Sequence, residues 1–84
     1  FTIKSGKGIE AMVMIKSRKT DISNIVTVVE NVAEEMFEVS GDYDIVAVIS
    51  GISVDELNRK IDKIRAIKGV TATNTAIKLH QGLI

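Results

Sequence analysis

Asp44-Ile45-Val46-Ala47-Val48-Ile49-Ser50 is the stretch that decides the fold. Five apolar residues stand in a row, Ile45–Ile49, where a strand with one wet face would alternate apolar and polar. A second unbroken run, Ala11-Met12-Val13-Met14-Ile15, lies between Glu10 and Ser17. Continuous apolar strands require cover on both faces. The remaining sequence supplies helices for one layer only. The other face must therefore be covered by something outside the monomer, and the pattern points first to a self-associating module.

Outward from these two runs, the spacing predicts the other elements. Thr20 or Asp21 offers an N-cap, followed by Ile22, Ile25, Val26, Val29, Val32, Ala33 and Met36 on one helical face. This helix is rich in β-branched residues, which are weak helix formers, so tertiary packing must hold it. Met36–Ser40 reads as a short strand, and Gly41-Asp42-Tyr43 as the turn into the strand Asp44–Ser50. Ser53 and Glu56 form a capping-box pattern ahead of the stripe Val54, Leu57, Ile61 and Ile64. Gly69 is placed to stop this helix at C′, and Val70–Leu79 closes the domain as a threonine-rich strand. Residues 1–9 read as a tail or linker remnant, and His80 to Ile84 as a frayed end.

The order strand, helix, strand, strand, helix, strand is that of an α+β, ferredoxin-like βαββαβ domain. It implies a four-stranded antiparallel sheet with two helices on one face. In that topology the first and third strands are central, and these are the two with unbroken apolar runs. Each half also weakly echoes the other, running apolar strand, Ser/Thr-rich turn, Asp, helix, strand.

Length and composition agree. The 84 residues make one domain, 1–84, whose core must be Val, Ile, Leu, Met and Ala, because there are only two Phe, one Tyr and no Trp. Absence of cysteine excludes a disulfide framework, a thiolate metal site and a cysteine nucleophile. Eleven basic residues balance eleven acidic ones, which gives no electrostatic case for gripping nucleic acid or an anionic membrane. No apolar run approaches the roughly 20 residues of a membrane span, and no signal-peptide pattern appears, so a cytoplasmic setting is the default. The chain starts at Phe1, and whether a segment precedes it stays open.

Enzyme signatures are missing from the pattern. The lone His80 supports no Ser/His/Asp set, and Gly6-Lys7-Gly8 lacks phosphate-loop spacing. Scattered carboxylates show no metal-loop spacing, and no cofactor is expected. A small ferredoxin-like catalyst of the mono-oxygenase or acylphosphatase type is a competing reading. Acylphosphatase chemistry needs an arginine in a glycine-rich phosphate loop, and none is visible.

Two segments carry a resemblance. Val39-Ser40-Gly41-Asp42-Tyr43-Asp44-Ile45-Val46 and Ile67-Lys68-Gly69-Val70-Thr71-Ala72-Thr73-Asn74-Thr75-Ala76-Ile77, with Leu57 and Ile61 between them, resemble the effector-binding domain of Lrp/AsnC regulators. That domain is called RAM, for regulation of amino-acid metabolism, and the resemblance covers about residues 10–79. It implies a homodimer paired through its sheets, assembling into a higher ring, octamer or decamer, with an amino-acid effector bound between dimers. It also implies that Gly41, Asp42, Tyr43 and Asp44 of the turn and Thr73, Thr75 and Ile77 of the last strand line the effector cleft. The helix-turn-helix that accompanies RAM domains in full-length regulators is not in this sequence. Either the chain resembles stand-alone RAM proteins, able to mix with full-length regulators, or it is the C-terminal domain of a DNA-binding regulator.

The residue types suit such a ligand. A free amino acid needs donors for its carboxylate, an acceptor for its ammonium and an apolar wall for its side chain. Gly41 permits φ > 0 and close approach of backbone amides. Asp44 is placed to accept from the ammonium, and Thr73 and Thr75, on one strand face by period two, to donate to the carboxylate. The plain alternative is that Gly-Asp-Tyr-Asp is an ordinary hairpin turn and the threonines simply favour an extended strand. Tyr43 is expected at an interface. Lys16, Arg18 and Lys19 read as a solvated basic turn, and Met12, Met14 and Met36 as adaptable packing.

Overall fold

The computed structural model describes residues 8–78. The elements run β1 (Ile9–Ser17), a 3-10 turn (Lys19–Asp21), α1 (Ile22–Val32), β2 (Glu35–Glu38), β3 (Ile45–Gly51), α2 (Val54–Arg65) and β4 (Val70–Lys78). All strand pairs are antiparallel, in the order β2-β3-β1-β4, so the two apolar strands do occupy the centre. The expected ferredoxin-like α+β arrangement is the one observed.

Register divides the sheet into two faces. Ala11, Val13 and Ile15 of β1 stand opposite Ile49, Ala47 and Ile45 of β3, and all six are buried. Against them pack Ile25 and Val29 of α1 and Leu57, Ile61 and Ile64 of α2, which completes the core. Both helices therefore sit on this one side. Each buried Leu or Ile side chain contributes roughly 1.5–3 kcal/mol by leaving water.

Several boundaries differ from the sequence reading, each for a local reason. α1 stops at Val32 because Ala33 is extended (φ −96°, ψ 151°) and Glu34 N–H already bonds Val48 O at 2.7 Å. Met36 therefore leaves the helical stripe for β2, which runs Glu35–Glu38 instead of Met36–Ser40. Asp21 does occupy the N-cap of α1, but its side chain makes no capping bond, and it is also the last residue of the 3-10 turn. Ser53 caps α2 as expected, accepting from Glu56 N–H at 3.2 Å, while Glu56 Oε1 reaches back one residue further, to Ile52 N–H at 2.9 Å.

Gly69 is not at C′, because the C-cap of α2 is Ala66. It is instead the third residue of a turn closed by Val70 N–H to Ile67 O at 3.2 Å, where its φ of 99° requires glycine. β1 begins at Ile9, one residue inside the expected tail. Leu79, His80 and the rest of the expected frayed end lie outside the described residues, as do residues 1–7.

Candidate functional site

Two features stand apart from the core. The first is the sheet face opposite the helices. In register across it lie Val48, Met12 and Ala76, and next to them Phe37, Val46, Met14 and Asn74. Burial along β1 alternates although its sequence does not, because only one face has cover. Met12 is 47% exposed and Phe37 46% exposed, while Val46, flanked in register by both Phe37 and Met14, is only 8% exposed. Met12, expected as adaptable packing, is therefore left unpacked within the protomer. An open depression of about 380 Å³ runs over Met12, Val48 and Ala76, edged by Glu10 and Lys78. These two charges pair at 3.8 Å, both about half exposed, a contact worth roughly 0–1 kcal/mol.

The second feature is the turn between β2 and β3. Gly41 adopts φ 120°, and a side chain there would meet nothing within 4 Å, so the turn opens onto free space. Asp42 is exposed, and Tyr43 and Asp44 are half-buried. Asp44 is well anchored. Its carboxylate accepts from Ser17 N–H at 2.9 Å, its amide donates to Ile15 O at 2.8 Å, and its carbonyl accepts from Val39 N–H at 2.9 Å. Three consecutive residues of β1, Ile15, Lys16 and Ser17, thereby hold the turn, since Lys16 Nζ also donates to Asp42 O at 3.0 Å.

The residues expected on β4 stand elsewhere in the protomer. Thr73, Thr75 and Ile77 lie opposite Ile15, Val13 and Ala11, on the helix side of an edge strand, each half-buried. Ile45 and Thr73 flank Ile15 from opposite sides, which separates them by two strand spacings, about 10 Å. Ile77 lies four residues further along β4, roughly 13 Å from Thr73. One protomer brings Gly41, Asp42, Tyr43 and Asp44 together and holds the three β4 residues apart from them.

The sequence reading misses what β1 contributes to this turn. It places Lys16 in a solvated turn and does not single out Ser17. The signal lies in the topology, because β1 and β3 are antiparallel neighbours, so the end of β1 must lie beside the turn that starts β3. Ser17 carries a further oddity. Its hydroxyl is the one buried side-chain polar atom without a hydrogen-bond partner among the described residues. Among those residues no group of three or more His, Cys, Asp or Glu is placed to hold a metal ion, and no helix is long and apolar enough to cross a membrane.

Comparison with known proteins fits this geometry. The family model of the Lrp/AsnC ligand binding domain matches residues 10–82. The HTH-type transcriptional regulator LysM of Saccharolobus solfataricus is 39% identical over 76 residues, covering 86% of this chain and 53% of the regulator. A homocitrate synthase of Sulfurisphaera tokodaii is 38% identical over 82 residues, covering 93% of this chain and 18% of that enzyme. Among solved structures, TTHA0845 from Thermus thermophilus superimposes with a TM-score of 0.82 at 25% identity, over 90% of this chain and 99% of that one. The chain therefore spans about half the length of the regulator and under a fifth of the enzyme. With a family match running from the first central strand past the last one, this chain belongs to the Lrp/AsnC ligand-binding domain family.

Proposed function

We propose that this chain is an amino-acid-sensing and oligomerisation module, not an enzyme, which pairs with a second copy through its uncovered sheet face and holds its effector between dimers. The observation that carries this reading is the apolar face of Met12, Met14, Phe37, Val46, Val48 and Ala76, left bare by helices that all pack on the other side. Burying it removes apolar surface from water at about 25 cal/mol per Å². The split of the candidate residues supports the placement of the effector. Within one protomer the central strand β1 stands between the Gly41–Asp44 turn and the Thr73–Thr75–Ile77 strand, whose three residues lie on the helix side, so a site using both draws them from different protomers. In this role Asp44 accepts from the effector ammonium, Gly41 admits backbone amides, and the β4 residues of another copy complete the cleft. Dimers join into a ring of eight or ten copies in the cytoplasm, alone or mixed with full-length regulators.

A site shared between copies links binding to assembly, since a ligand stabilises whichever assembly it binds best. The family occurs in relatives of two kinds, a regulator and part of a larger enzyme, which supports a module that senses a small molecule wherever it is attached. A second reading is favoured by the coverage of LysM, that this domain is the C-terminal half of a DNA-binding regulator. The sequence upstream of Phe1 decides between the two.

The test is thermal melting against the twenty amino acids with light-scattering mass measured in parallel. The expected result is a dimer or larger assembly in which at least one amino acid shifts both quantities. A concentration-independent monomer, indifferent to every amino acid, rejects the proposal.

A further inference from the structure

At the C-terminal end of β1 the sheet sets a cation against the polar turn. Lys16 continues the outward series of Met12 and Met14 and is exposed. Its ammonium turns toward β3 and donates to Asp42 O at 3.0 Å, which puts its charge on the Gly41–Asp44 turn. Neither ion pair among the described residues involves it. An ammonium has three donors, and this contact uses one. One residue on, Ser17 N–H bonds Oδ2 of Asp44 and leaves Oδ1 without a partner among the described residues. The buried, unpartnered Ser17 hydroxyl belongs to the same corner, so polar capacity is left over here on three side chains.

We infer that Lys16 is the carboxylate-binding residue of the effector site, working beside Asp44 Oδ1, which takes the ammonium. The inference rests on the reading that the chain binds an amino acid. A zwitterion carries its two charges on neighbouring groups, so its site needs opposite charges within one small ligand's width. Lys16 and Asp44 put opposite charges on one turn, Lys16 Nζ bonding Asp42 O while the next β1 residue, Ser17, donates its N–H to Asp44 Oδ2. Thr73 and Thr75 of the same protomer stand on the helix side of the sheet, away from Lys16, and reach the site only from another copy. A charged N–H donor also binds a carboxylate more strongly than a hydroxyl does.

The experiment compares the amino acid that responds in the panel with its α-carboxamide, which keeps the ammonium and removes the negative charge. Binding is read by titrated melting shifts on wild type, Lys16→Met and Lys16→Arg. Wild type is expected to prefer the acid on the order of tenfold or more. Lys16→Met should bind acid and amide equally and weakly, with unliganded melting and mass near wild type, and Lys16→Arg should keep the preference. If Lys16 only props the turn, Lys16→Met weakens acid and amide alike and the preference survives, which overturns the assignment. A wild type that does not distinguish acid from amide overturns it too, independently of how any variant folds. A wild type that answers to no amino acid removes the sensing reading itself, and the Lys16 assignment with it.

Discussion

The Asp44 carboxylate accepts the Ser17 amide at 2.9 Å, tying a surface turn to the end of a central strand 27 positions away in sequence. A side chain expected to serve a ligand is therefore already serving the fold, and an alanine variant mixes the two roles. Asp44→Asn separates them, because the amide oxygen still accepts while the charge is gone. We expect Asp44→Asn to melt within about 1 kcal/mol of wild type and to lose its amino-acid response, whereas Asp44→Ala loses about 1–3 kcal/mol of stability as well. Chemical denaturation with and without the responding amino acid reads both effects. An undiminished ligand shift in Asp44→Asn would show that Asp44 does not hold the ammonium.

The two sheet faces predict two different outcomes for one kind of substitution. Val13 is fully buried beneath the helices, and Val13→Asp should leave no folded protein, since an unpaired charge there costs several kcal/mol, about 3–5. Val48 is half-buried on the outer face, and Val48→Asp should keep its helical circular dichroism while light scattering falls to the mass of one chain. Assembly of Val48→Asp at full wild-type mass would show that this face is not where copies meet.

Gly69 packs against Asp21 so closely that a Cβ would collide with the Asp21 side chain, and its φ of 99° disfavours any other residue. Gly69→Ala should cost about 1–3 kcal/mol in a urea titration. Adding Asp21→Gly should recover the part due to the clash and leave the part due to the backbone. A Gly69→Ala protein with an unshifted midpoint would contradict this packing of the β1–α1 and α2–β4 loops.

Ser53 accepts from Glu56 N–H at the start of α2. Ser53→Ala should lose about 1 kcal/mol without changing assembly or ligand response, because the cap faces neither the bare sheet nor the turn. Coincident loss of mass in light scattering would mean that the start of α2 takes part in an interface.

Much of the fold was legible because its signals are local and periodic. Val54, Leu57, Ile61 and Ile64 at helical spacing around Ser53 and Glu56 marked α2, and the core contains the last three, while Val54, in the first turn, is 46% exposed. The end of α1 was less legible. Val32, Ala33 and Met36 continue a helical stripe, yet hydrogen bonding to β3 draws the chain out of the helix after Val32, and that pull comes from a strand distant in sequence. The site was legible only as a set of residue types. Thr73 and Asp44 look compatible as ligand groups on paper, but nothing in a linear pattern says that a strand stands between them.

What the sequence determined by itself was a demand, namely ten apolar residues in two runs too greasy for a sheet that its own helices cover on one side only. Period-two alternation then decided which of them face the core once the strands pair. The tertiary structure alone decided which polar groups meet. Hydrogen bonds such as those from Lys16 to Asp42 and from Ser17 to Asp44 join residues 26 and 27 positions apart, and such pairings depend on strand register, not on any local preference of the chain.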